Sequence, residues 1–161
     1  MIVISDTSPI NYLVLIDEIE LLPKLFGAII IPPAVLSELQ RIEAPDEVRT
    51  WLAINPNWLE LRTVSAIDAT ITLGAGESEA ISLAKEINAD LVLIDDRKAR
   101  LAAIERGLSV AGTLNILELA SVKNLIELKT AFDKLQQTNF RVAQALLDEA
   151  LEREEQRQAA T

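Results

Sequence analysis

Apolar and polar positions follow two alternating rhythms along this chain. Four brief, nearly continuous apolar runs, residues 2–5, 28–31, 91–94 and 108–110, have the pattern of parallel strands covered on both faces. A fifth run, residues 58–64, alternates partially and is expected at a sheet edge. Between the runs, apolar positions recur at helical spacing. Ser8-Pro9 reads as an N-cap followed by proline at the first helical position, opening a helix over 9–16. A short helix over 18–26 follows. Pro32-Pro33 closes the second strand and opens a helix over 34–42, and another is expected over 45–54. Gly74 and Gly76 form a turn before a helix over 77–87, with Asn88 as its left-handed cap. A helix over 97–106 stops at Gly107, and Thr113 caps one that runs to about 120. From Leu128 onward two more helices are expected. The last spans about 142–157, and its polar end, from about residue 154, should fray.

Strands alternating with helices predict an α/β fold, a parallel sheet with helices on both sides. No repeat, low-complexity tract or linker interrupts the chain. Its 161 residues suffice for one domain with its own core, carrying a helical C-terminal portion from about residue 126. Aromatic residues make up only 4%, so that core must be aliphatic.

What is missing narrows the chemistry. The chain has no cysteine and no histidine. Disulfides, thiolate sites, imidazole-bound zinc and every His-activated nucleophile are excluded. Catalysis has to rest on carboxylates, hydroxyls, Lys, Arg or a hard metal ion. The net charge of −10 argues against broad electrostatic binding of nucleic acid. A carboxylate site can nevertheless act on phosphodiesters, because a divalent cation inverts the local charge. No apolar run approaches the length of a membrane span, and no signal-peptide pattern opens the chain, so the cytoplasm is expected.

Four acids draw attention. In open α/β sheets ligands bind at the carboxyl ends of the strands, where Asp6 and Asp95 fall, Asp96 beside the latter. The plain alternative is that each caps the following helix. Glu38 lies three after Val35 and four before Ile42, on or beside the buried stripe Val35, Leu39, Ile42. A buried ionised Glu is costly unless paired or metal-bound; otherwise it flanks the stripe and reaches water. Glu77 starts the stripe of Ala80, Ile81, Ala84 and Ile87, where it could also simply complement the helix dipole. Glu79, about 200° round that helix, reads as solvent-facing. If the sheet is wound as proposed, all four acids converge on one crevice. Four carboxylates that close need a counter-charge, and hard oxygen donors select Mg²⁺ or Mn²⁺.

Four segments together resemble the PIN-domain family. They are Ile4-Ser5-Asp6-Thr7-Ser8-Pro9-Ile10, the stretch from Ile31 to Leu39, the stretch from Gly76 through Ile81 to Arg100, and, more weakly, Gly107 to Thr113. The match covers residues 1 to about 125 and is similar to VapC-type ribonuclease toxins, above all to a prokaryotic PIN-like branch classed as a domain of unknown function. The resemblance implies a three-layer α/β/α sandwich around a parallel sheet of about five strands. It implies that the family's four acids fall on Asp6, Glu38, Glu77 and Asp95. Many relatives carry aspartate at the third position, so Glu77 is a longer arm. The Asp95-Asp96 doublet leaves the fourth position open; Asp95 is favoured because it ends the strand directly. Thr7 matches a hydroxyl that orients a carboxylate or a water.

The expected activity is metal-dependent hydrolysis of RNA, with Mg²⁺ or Mn²⁺ held by Asp6, Glu77 and Asp95 and Glu38 completing the ring. Arg97, Lys98 and Arg100 would hold flanking phosphates, although a solvated helix face explains them equally. As a toxin the chain would pair with a small antitoxin whose peptide occupies the acidic groove. The resemblance also implies a homodimer, for which Val142, Ala145, Leu146 and Ala150 offer a surface, although they could equally pack on their own core. A catalytically silent PIN-like binding module is the alternative. A nucleotide-binding or receiver-like domain is weaker, since no Gly-x-Gly-x-x-Gly or P-loop follows the first strand and Asp6 stands alone there.

Overall fold

A computed structural model describes residues 1–161. The chain divides into two compact units, Met1–Thr113 and Leu114–Thr161.

The first unit holds five short strands: β1 Val3–Ser5, β2 Ile29–Ile31, β3 Leu59–Leu61, β4 Leu91–Leu93 and β5 Val110–Ala111. All pair in parallel, in the order β3-β2-β1-β4-β5. Six helices accompany them: α1 Thr7–Leu15, α2 Leu21–Phe26, α3 Pro33–Gln40, α4 Asp46–Ala53, α5 Ala75–Glu86 and α6 Arg97–Glu105. This is an α/β sandwich, a parallel five-stranded sheet flanked by helices, with β3 at an edge as its alternation predicts. The register sets Ile30, Ile4, Val92 and Val110 in one row across four strands. That row joins Ala80, Ile81, Leu83 and Ala84 of α5 and Ala99 and Ala103 of α6 in a single apolar cluster. Helix α5 can sink this deeply because its inner residues are small. Gly76, Ser78, Ala80, Ser82 and Ala84 are all buried, and the helix packs chiefly against α3.

After β3 the chain crosses from one edge of the sheet to β4, on the far side of β1. The crossing segment is tied down by Asp68. Its carboxylate accepts hydrogen bonds from Thr70 N at 2.9 Å and Thr70 Oγ1 at 2.6 Å, and ion-pairs with Lys85 and Arg106, each at 3.2 Å. These donors, the Thr70 groups foremost, hold its carboxyl well below the usual range.

Several boundaries differ from expectation for local reasons. The first helix starts at Thr7, with Asp6 in the cap position, so Ser8 is already inside it. Helix α3 ends at Gln40. Arg41 leaves it with φ −59° and ψ 149°, the proline at 45 restricts Ala44 to non-helical backbone, and Ile42 is 76% exposed rather than part of a buried stripe. The last strand lies later than 108–110. Leu108 N donates to Ala103 O and Gly107 takes φ +80°, so both residues close α6 before β5 begins. Asn88, with φ +52°, is the left-handed residue expected after α5.

In the second unit lie most of α7 (Thr113–Val122), α8 (Leu128–Gln136) and α9 (Gln144–Ala159). Helix α9 continues through the polar end to Ala159. Arg153 grips Glu118 of α7 through two hydrogen bonds of 2.6 and 3.0 Å, and Ser121 donates to Glu154. Val142 lies outside any helix, whereas Leu147 and Ala150 are buried and Leu146 is 51% exposed. No helix is long and apolar enough to cross a membrane.

Candidate functional site

The strand order reverses at β1. The chain winds outward from β1 to β2 and β3, then returns to build β4 and β5 on the other side. Such a switch point leaves a crevice beyond the carboxyl ends of the two central strands, because the helices that follow them diverge. Asp6 follows β1, and its N–H donates to Leu93 O of β4 at 2.9 Å, so the backbone fixes Asp6 between both strands. Asp95 and Asp96 follow β4.

A cavity of about 470 Å³ opens here, lined by Asp6, Thr7, Ser8, Asn11, Glu38, Arg41, Glu43, Ala44, Glu77 and Asp96. Asp6 is 5% exposed, and although it occupies the N-cap position its side chain caps nothing. Its Oδ1 is buried with no hydrogen-bond partner. Burial first, and then the charges of Glu77, Glu38 and Asp95, push its carboxyl up to about 7, against the opposing pull of the Thr7 N–H. Asp6 therefore carries an unpaired acceptor in a field of like charge.

Glu38 reaches the cavity from α3. It accepts from Thr7 Oγ1 and from Gly76 N, the latter at 3.2 Å. Gly76 is glycine for a steric reason, since a Cβ there would stand 2.8 Å from the Glu38 carboxyl carbon. Glu77 enters from the first turn of α5. Its carboxylate takes the N–H of Gly74, the N-cap residue three positions earlier, as in a capping box. Burial and the charges of Asp96 and Glu38 nonetheless raise its pKa. Dipole complementation and cavity lining are thus both true of Glu77. Glu79 is not solvent-facing: it accepts from Ala34 N at 3.2 Å and so secures the start of α3.

The two acids after β4 diverge. Both Asp95 oxygens accept from Thr113, from its N at 2.7 Å and its Oγ1 at 2.8 Å. Burial raises the Asp95 pKa against these bonds and the Arg100 charge. Asp96 is exposed, lines the cavity, and caps α6 through Oδ2 to Ala99 N at 3.0 Å. Of the basic residues expected on α6, none lines the cavity: Arg97 and Lys98 are exposed, and Arg100 donates to Ile94 O at 3.3 Å beside Asp95. The lining residues that pattern-reading missed are Ser8, Asn11, Arg41, Glu43 and Ala44. Nothing in the periodicity marks them, because they belong to the cavity only through the turn that ends α3 and the exposed side of α1.

The donor set fits a hard divalent cation. All donors are oxygens, and Asp6 Oδ1 is a buried acceptor awaiting a positive partner. The shell is not pre-assembled, since no three acidic side chains stand together in ligating geometry.

A parallel α/β sheet with carboxylates gathered at its switch point defines a class of acidic-site α/β domains. The chain belongs to the PIN-domain family, whose model matches residues 2–156. Its structure is similar to that of a PilT N-terminus domain protein from the hyperthermophilic archaeon Sulfolobus solfataricus P2, with a TM-score of 0.55 and 21% identity over 75% of this chain and 92% of that one. No curated protein matches the chain. PIN domains are generally nucleases and generally use divalent metals.

Proposed function

We propose that the chain is an endoribonuclease that hydrolyses RNA phosphodiesters with Mg²⁺ or Mn²⁺. The observation that carries this reading is the buried, unpaired Oδ1 of Asp6 at the sheet's switch point, on a carboxyl that feels the charges of Glu77 and Glu38. Such an oxygen is costly in a folded chain unless a cation completes it. Asp6 and Glu77 would hold the ion together with an acid from the Asp95-Asp96 pair, and the ion would supply charge stabilisation and a more acidic water. Glu38, locked by Thr7 and Gly76, fixes the back wall of the cavity and adds to the field that draws the cation in. Thr7 sets the Glu38 carboxylate, and Thr113 sets that of Asp95. With no histidine present, the chain's own proton acceptors at the site are carboxylates, and Asp6, Glu77 and Asp95 all have their pKa raised by burial.

The finer reading is the toxin of a toxin–antitoxin pair. The net charge of −10 and the acidic cavity suit a small antitoxin with a basic segment. The silent-module alternative is favoured by one observation, the absence of a ready three-carboxylate cage.

Cleavage of a structured RNA pool separates the two. Activity that needs Mg²⁺ or Mn²⁺, stops with EDTA and is lost in Asp6→Asn is expected. Metal binding without cleavage of any RNA would instead identify the silent module.

A further inference from the structure

The cavity holds one basic residue among its acids, and it is not one the helix after β4 supplies. Arg41 is the first residue beyond α3 and lines the cavity together with Glu43 and Ala44. Its backbone is anchored on both sides. Arg41 N donates to Glu38 O at 3.4 Å, and Arg41 O accepts from Ala44 N at 3.0 Å. Its side chain is exposed and enters none of the chain's ion pairs, although Glu38 and Glu43 are close in sequence. A guanidinium carried by an anchored backbone at the rim of an anionic cavity, and left unpaired by the fold, is placed for a ligand that brings its own anion. The planar fork of arginine matches a phosphate in bidentate fashion, which a lysine does not.

We infer that Arg41 is a substrate-binding residue of the proposed nuclease, gripping a backbone phosphate of single-stranded RNA next to the one that reaches Asp6. The inference rests on the nuclease reading and deepens it. It shifts phosphate contact from Arg97, Lys98 and Arg100, which lie outside the cavity, to the rim opposite them in sequence. Beside Arg41, Ile42 is 76% exposed and offers an apolar surface to the adjoining base.

The test compares wild type, Arg41→Ala, Arg41→Lys and Lys24→Ala in two assays. One is anisotropy of a labelled single-stranded RNA titrated at several salt concentrations. The other is steady-state cleavage with Mn²⁺. Arg41→Ala should weaken binding and raise KM about tenfold while kcat stays within about threefold, as for one lost charge-assisted contact. The salt dependence of log K should flatten by about 0.7, the share of one phosphate on a single strand. Arg41→Lys should restore that slope and only part of the affinity. Lys24→Ala, which removes an equal charge from the exposed side of α2, should match wild type in both assays. Wild-type affinity and slope in Arg41→Ala overturn the inference, while metal-dependent cleavage by the same preparations leaves the nuclease reading standing. A wild type that neither binds nor cleaves RNA overturns both. Binding that falls in Arg41→Ala without cleavage by any variant keeps Arg41 as an RNA contact and sinks the nuclease.

Discussion

The Asp6 carboxyl titrates near 7 in the folded chain and near 3.9 in an unfolded one. Between those values the folded state keeps a proton that the unfolded state has released. With divalent ions chelated, stability is therefore fully present below about pH 4 and falls as pH rises through about 7. Asp6→Asn removes this slope and should unfold at higher urea than wild type at pH 8, by a few kcal/mol. Coincident urea curves there would contradict the burial account. Asp95 and Asp96 divide on similar grounds. Asp95→Asn removes a carboxylate whose burial outweighs its Thr113 bonds and keeps an acceptor for the Thr113 N–H, so at pH 8 it should be at least as stable as wild type in urea. Asp96→Asn keeps an N-cap residue, so it should leave stability almost unchanged while weakening Mn²⁺ binding tenfold or more in calorimetry. The doublet was ambiguous in the sequence for a physical reason. Which acid faces the crevice depends on Thr113, 18 residues beyond Asp95, and no local pattern contains that bond.

Most elements were legible because each is a short apolar run or a clear helical stripe bounded by Pro, Gly or Asn. Their ends were not, since caps decide them: Asp6 for α1, the turn before Pro45 for α3, and Gly107-Leu108 for α6. The misplaced end of α3 hid Arg41, which a helix reaching 42 would have left on a helical surface. A stripe that includes Ile42 predicts Glu38 to point inward. Its inward position stands, but on hydrogen bonds to Thr7 and Gly76 instead. Helix α5 gives the sharpest test of an element built for a site. Gly76→Ala improves helix propensity by up to about 1 kcal/mol, yet its methyl group meets the Glu38 carboxylate, the movable end of a flexible side chain. Thermal stability should change by no more than about 1 kcal/mol, whereas RNA cleavage should drop at least tenfold. A variant of wild-type activity would show that Glu38 need not be held. In the crossover before α5, Asp68→Ala removes the anchor shared by Thr70, Lys85 and Arg106. Limited proteolysis should then cut within residues 65–73, where the wild type resists.

At the scale of the molecule, a cation that binds only the folded chain adds RT ln(1 + [L]/Kd) to its stability. Mn²⁺ at ten times its Kd should contribute roughly 1.4 kcal/mol and raise Tm in proportion, and the rise should vanish in Asp6→Asn. An equal rise in that variant would place the ion elsewhere on this acidic chain. The sheet order has a consequence for the chain's own synthesis. β1 is made first, but its partner β4 and the acids that complete the crevice come about 90 residues later. A nascent chain halted before β4 leaves the ribosome with Asp6, Glu38 and Glu77 already translated and no crevice to put them in. At about 5–20 residues per second, that interval lasts several seconds. If Asp6 holds a cation as proposed, the capacity to bind it would switch on late in translation and all at once, and a truncated product would be inert rather than partly active.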